Sequence, residues 1–233
     1  MARGFVILGA AFLLVLAPTL GGKHQAGAEE LPPAEFERQV RARYSGLEEE
    51  LRAFMASYLE EEWGLRGNDA RAIAGWVASY SLEYGVDPLV QLARILVESR
   101  ARHYVYVGYG KSRTKRIKRG AAGELGLSQI MPFWAGKEVE GVRITREMLN
   151  DPEGNILAGI LIYKRYRRIS PDYLLALARY NNPRARYPTS YARRVDRFYQ
   201  KIKRGWEEWL RENPPAQTVV DNEPPAYPLP LLP

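Results

Sequence analysis

Apolar residues recur at helical spacing along most of the chain, and the gaps between periodic stretches hold residues that start or stop helices. Residues 34–44 and 46–63 read as two amphipathic helices. In the second, Leu47, Leu51, Phe54, Met55, Tyr58 and Leu59 form one stripe, Ser45 and Glu48 have capping-box spacing, and Gly64 stands where a left-handed terminator belongs. A stripe of that kind predicts core. Asn68 or Asp69 is expected to cap a third helix to about Tyr84, with Ile73, Trp76, Val77 and Tyr80 inward and Gly85 ending it. A fourth begins at Asp87-Pro88, an N-cap followed by a proline whose missing N–H is not needed there, and runs to Ser99. Leu89, Val90, Leu92, Ala93, Leu96 and Val97 make it apolar on most sides, and Glu98 arrives where the apolar run stops.

Residues 101–122 break the pattern. His103 to Val107 alternate and favour a strand, Gly108-Tyr109-Gly110 can turn the chain back, and Lys111 to Arg119 are dense in Lys and Arg without an acid. A small protruding hairpin is expected, because such charges cannot be buried. Its cations form either a solvated face or a clamp on an anionic polymer. Phe133 and Trp134 fall in a short helix, and 137–145 in a loop or a hairpin around Gly141. A helical turn from Thr145 to Asn150 follows. Asp151-Pro152 then opens a helix with Ile156, Leu157, Ile160, Leu161 and Tyr163 inward. Ser170-Pro171 opens another, Leu174 to Tyr180, which stops at Asn181-Asn182-Pro183. A long amphipathic helix, about Ser190 to Arg211, carries Val195, Phe198, Tyr199, Ile202 and Trp206.

The two ends differ from this body. Arg3, the apolar run Phe5 to Ala17 and the A-x-A pattern Ala26-Gly27-Ala28 make residues 1–28 resemble an export signal, with an uncleaved anchor as the alternative. The expected organisation is that signal, an N-terminal helical extension over 29–66, a main domain over 67–212 containing the basic insertion 101–122, and a Pro-rich tail over 213–233. The tail is read as disordered, a possible protein-binding segment.

Charge and composition narrow the chemistry. With 233 residues and a net charge of +7, the chain favours anionic partners. An exported location argues against nucleic acid and leaves membrane contact to the N-terminal segment alone. The absence of cysteine excludes disulfides and thiol catalysis, and two histidines leave little for a metal centre or a Ser-His-Asp triad, so no cofactor or metal is expected. A carboxylate at a helix C-terminus, partly buried, is pushed toward its protonated form, as a general acid near neutral pH requires. Gln129 can donate and accept through one amide, as an N-acetyl group or sugar hydroxyl requires. Tyr180 and Asn181 add a phenol and an amide at a helix end. These residues in an exported basic chain point to a polysaccharide cleft.

Four ordered motifs make the chain resemble a known family. Glu98-Ser99, Gly123-x-x-Gly126-Leu127-x-Gln129-Ile130-Met131-Pro132, Asp151-Pro152-x-x-Asn155-Ile156-x-x-Gly159 and Ala176-Leu177-Ala178-x-Tyr180-Asn181 resemble the soluble lytic transglycosylase (SLT) domain across roughly residues 68–202. The resemblance implies a mainly α, goose-lysozyme-like α+β fold: a helical bundle around a saccharide cleft, here with a small β-hairpin insertion. It also implies cleavage of the β-1,4 bond between N-acetylmuramic acid and N-acetylglucosamine in peptidoglycan glycan strands. Glu98 matches the family's single catalytic glutamate, acid first and base second as a 1,6-anhydro ring closes. Gln129 matches its cleft glutamine and Tyr180 its cleft tyrosine. Ser128, Asn181, Gly126 and Met131 are further expected substrate contacts, and Ser99 is expected to cap the helix end.

The chain departs from that family in places. The insertion replaces a short loop. Gly120 stands where a serine is usual, its contact to be supplied by Ser112 or Thr114 if at all. Ser128 replaces a methionine, and Tyr180 is followed by Asn181-Asn182-Pro183 in place of Asn-Ala-Gly. Glu124 reads as a loop-capping acid ahead of a second catalytic carboxylate. A lysozyme-like hydrolase needing Glu124 or Asp151 to activate water, and a wall-binding protein without catalysis, are the alternatives.

Overall fold

A computed structural model describes residues 32–107, 114–170 and 172–215, which form eight α-helices and two short hairpins. Helices α1 (Pro33–Tyr44), α2 (Glu48–Trp63) and α3 (Gly67–Glu83) lead to α4 (Pro88–Ser99). The hairpin β1 (Tyr104–Val107) and β2 (Thr114–Ile117) follows, then a 3-10 turn at Pro132–Trp134 and the second hairpin, β3 (Glu138–Val139) with β4 (Val142–Arg143). Helices α5 (Arg146–Asn150), α6 (Pro152–Arg168), α7 (Tyr173–Asn181) and α8 (Ser190–Glu212) complete the chain. The expected export signal, the tip of the basic hairpin, Pro171 and the end of the Pro-rich tail lie outside the described residues. No described helix is long and apolar enough to cross a membrane.

Helix α4 is the centre of the packing. Every residue in it except Val97 and Glu98 is buried, and it contacts α3 and α8. Each large apolar side chain removed from water there contributes about 1.5–3 kcal/mol. Its N-terminus is held by Asp87, whose carboxylate accepts from the Leu89 N–H at 2.9 Å, Tyr44 at 3.1 Å, Arg43 at 3.1 Å and Tyr199 at 3.3 Å. One buried acid thus joins α1, α4 and α8. The last of these lies on the core through Tyr191, Ala192, Val195, Ile202 and Trp206, while Phe198 and Tyr199 sit partly buried at its margin.

The fold class is the expected one: mainly helical, with small antiparallel hairpins beside the bundle. Strand β1 pairs with β2 in the register Tyr104 to Ile117 and Val107 to Thr114. The stretch around Gly141 is a hairpin. Three expected caps are corrected. Ser45 closes α1 in extended conformation because Gly46, at φ 72°, turns the chain before α2 begins. Asn68 lies inside the first turn of α3, where its amide oxygen accepts from Arg71. Asp172, not Ser170, caps α7 by accepting from the Leu175 N–H. Trp76, Tyr80 and Leu157 are partly buried at the edge of the core.

Candidate active site

Glu98 is the only ionisable side chain of α4 that is not fully enclosed. Beyond it the helix ends abruptly: Arg100 and Ala101 both take left-handed backbone, φ 56° and 54°. Non-glycine residues held there carry strain that surrounding structure must impose. Ser99 is buried and its hydroxyl donates back to the Ile95 carbonyl at 3.1 Å, as a helix-end residue would. The Lys118 ammonium, at the end of β2, donates to the Ser99 carbonyl at 2.7 Å and supplies a cation to the negative end of α4.

The Glu98 Oε1 accepts a hydrogen bond from the Tyr191 hydroxyl at 2.6 Å. Burial pushes the Glu98 carboxyl above the ordinary carboxylate range. The Tyr191 hydrogen bond and the charges of Arg94 and Arg194 pull it back, while Glu124 adds to the rise. The net effect is a carboxyl held above its ordinary range, the direction in which a general acid near neutral pH lies.

The glycine motif is a tight loop clamped to α6. Leu125 and Ile130 exchange backbone hydrogen bonds at 2.9 and 3.0 Å across it. Asn155, fully buried on α6, donates to the carbonyls of Leu125 and Leu149 at 2.9 and 3.0 Å and accepts from the Ser128 N–H at 2.7 Å. Gly126 takes φ +73°, and a Cβ on it would lie 2.6 Å from the Asn155 amide nitrogen and 2.7 Å from the His103 ring. No other residue fits there. Gln129, at φ 46°, is half-buried; its amide donates to the Gly126 carbonyl at 2.7 Å, and its oxygen faces Gly120.

Tyr180 is the expected cleft tyrosine, and its hydroxyl donates to the Ser128 carbonyl at 2.7 Å, not to Glu98. It acts as a strut between α7 and the glycine loop. Burial raises both tyrosine hydroxyls, and the charge of Glu98 raises each further. Glu98, Tyr180 and Tyr191 therefore share one neighbourhood, and Glu124 connects Glu98 to Gln129, since the carboxylate of Glu124 and the oxygen of Gln129 meet over Gly120.

The expected contact residues differ in exposure and in what holds them. The Ser128 side chain is fully buried, and both it and the Arg94 guanidinium lie against Gly159. Asn181 is exposed; the loop after α7 is held by Asn182, which accepts from the Arg184 N–H at 3.1 Å. Thr114 lies at the far end of β2, opposite Val107, and cannot replace a serine at Gly120. The Glu124 carboxylate occupies that space, and it accepts from the Ala122 N–H at 3.0 Å. Asp151 caps α6 through the Gly154 N–H at 2.8 Å and is exposed. Met131 is half-buried at the end of the loop. Tyr191 gave no signal in the sequence beyond an aromatic residue at a helix start. Among the described residues no cluster of His, Cys, Asp or Glu could hold a metal ion.

A family model described as the transglycosylase SLT domain matches residues 76–199, from within α3 into α8. Comparison with curated proteins finds no match. Comparison with solved structures finds none either.

Proposed function

The chain belongs to the transglycosylase SLT domain family, whose substrate is peptidoglycan, and from that premise we infer that it cleaves the β-1,4 bond between N-acetylmuramic acid and N-acetylglucosamine with Glu98 as its one acid and base. The observation that supports this most is the Glu98 carboxyl itself: raised by burial, yet held by a phenol donor that stabilises its ionised form. Protonated, it gives its proton to the glycosidic oxygen. The resulting carboxylate then takes a proton from the C6 hydroxyl of the same muramoyl ring, whose oxygen closes on the anomeric carbon. A 1,6-anhydro end forms and no water is consumed, so the second carboxylate of ordinary glycosidases has no task. Gln129 holds the sugar beside the bond, with Tyr180 and Gly126 shaping the loop that presents it.

The basic hairpin supports an anionic polymer as partner: Lys115, Arg116 and Arg119 are exposed and form no ion pair among the described residues. The proposed location is outside the cytoplasm, on the strength of the N-terminal pattern. Mass spectrometry of digested sacculi tests the reading. Anhydro-muramoyl ends, absent with Glu98→Gln, are expected. Reducing ends instead would favour a hydrolase using Glu124, whose charge acts on Glu98. Sacculus binding without any product would favour a wall-binding protein.

A further inference from the structure

Arg94 is fully buried in the apolar helix α4, one turn before Glu98. Its Nε donates to the Gln91 amide oxygen at 3.0 Å, as does Nη2, while Nη1 has no partner among the described residues. The guanidinium carbon lies 4.1 Å from the centre of the Tyr180 ring and 5.9 Å from that of Tyr163. Among the described residues no carboxylate comes within ion-pair distance of it. A Cβ on Gly159 would lie 2.8 Å from Nη2, so α6 approaches closely enough to seal the charge in.

Burying a guanidinium with only one amide and two aromatic faces as partners costs several kcal/mol. A leucine or methionine at that position would continue the apolar run of α4 at no such cost. Structure alone therefore gives Arg94 no reason to be charged, but its position does. Residues four apart lie on one helix face, about 5–6 Å apart at Cβ, so Arg94 and Glu98 share a face of α4, and the Tyr180 ring stacked on the guanidinium is itself within the field of Glu98. The other groups acting on Glu98 are Tyr191 and Arg194 from α8 and Glu124 from the glycine loop, with Tyr180 on α7 and Lys118 on the hairpin also within its field. Arg94 is the one cation among these that is fully enclosed, so salt and water screen it least.

We propose that Arg94 is a positioning residue for the reaction, acting through Glu98 as a fixed positive charge that stabilises the carboxylate each time the proton has left. Arg94 accepts and donates no proton itself. The charge matters because the same carboxyl must be an acid and then a base within one turnover, and burial by itself would leave it a poor base. This role rests on the single-carboxyl reading of Glu98, and the test separates the two.

The Glu98 carboxyl is titrated by carbon-13 NMR in the full chain, with Glu98→Gln to assign the signal, alongside the pH profile of muropeptide release. Arg94→Met should move the Glu98 midpoint up by about one pH unit, the lower end of what loss of a neighbouring opposite charge produces. The alkaline limb of kcat/KM should follow it. Arg94→Lys should restore the wild-type midpoint only over the pH range in which the buried ammonium keeps its proton, since burial lowers a lysine and not an arginine. If Arg94→Met alone unfolds, the double variant Gln91→Leu/Arg94→Met leaves no orphaned amide and gives the same readout. A Glu98 midpoint unchanged in a folded variant without the charge overturns the proposal. Wild-type protein that releases no anhydro ends would sink the functional reading instead, and leave the titration valid.

Discussion

Removing the Tyr191 hydroxyl, as Tyr191→Phe, deletes one atom from the site and leaves the buried ring in place. The lost interaction is a 2.6 Å hydrogen bond to Glu98 Oε1, in the range of a hydroxyl donating to a charged oxygen. Such a bond contributes about 1.5–3 kcal/mol, whereas the protonated carboxyl retains about 1 kcal/mol through its neutral oxygen. The difference favouring the carboxylate is then about 0.5–2 kcal/mol, which centres on about one pH unit on the Glu98 titration. Since the carboxylate is the product of the first proton transfer, kcat should fall about three- to tenfold. KM should stay near wild type, because the hydroxyl serves the carboxyl and not the sugar. The assay is the initial rate of anhydro-muropeptide release between pH 5 and 9, with a thermal melt to establish folding. A folded variant with wild-type kcat and an unmoved alkaline limb would refute the reasoning and leave Tyr191 a packing residue.

Three further outcomes follow from the same geometry. Burial holds a proton on Glu98 at pH values where the unfolded chain has released it, so this group's contribution to stability falls as pH rises from the ordinary carboxyl range through the raised Glu98 value. Glu98→Gln should therefore match wild type in urea melts near pH 4 and exceed it near pH 8, the gap opening at about 1.4 kcal/mol per pH unit within that window; equal stability at both pH values would contradict it. Asn155→Ala orphans one carbonyl and one N–H of the glycine loop and the Leu149 carbonyl of α5, at a cost of about 3 kcal/mol or about 10 °C in Tm, and a loss under about 3 °C would mean that the loop holds itself. Ser128→Ala removes a buried hydroxyl that has no partner, so it should leave the rate unchanged and stability equal or up to about 1 kcal/mol higher; a tenfold loss of activity would return Ser128 to the cleft.

The helices were legible because their periodicity and their proline starts are local, and the same holds for Glu98, placed by the end of an apolar run. Cap residues were less legible. Ser45, Asn68 and Ser170 have the right chemistry, but Gly46 and Asp172 decide where the chain turns, and turning depends on what packs alongside. Gln129 and Gly126 could be found through the motif, yet the reason for the motif could not: Asn155, 29 residues beyond Gly126, supplies two hydrogen bonds that close the loop and a third that ties it to Leu149 of α5. Tyr191 lies 93 residues from Glu98, and only the packing of α8 on α4 brings them together. Arg94 was hidden differently. Apolar patterning treats α4 as core, and a charge inside that pattern has no meaning until its neighbours are known.

Glu124 shows how a departure from the family can be absorbed without a change of chemistry. Where the family has a serine this chain has Gly120, and a glycine leaves room that something must fill. The Glu124 carboxylate fills it, tied down by the Ala122 N–H and set against Gln129. Its orientation is thereby fixed by the loop, and a base that activates water must be free to take a proton from it. What Glu124 does contribute is charge: it raises Glu98, while Arg94 and Arg194 lower it. On the proposed reading the site contains one carboxyl to transfer protons and another that closes a loop, and the balance of fixed charges around the first sets how readily it would serve as both acid and base.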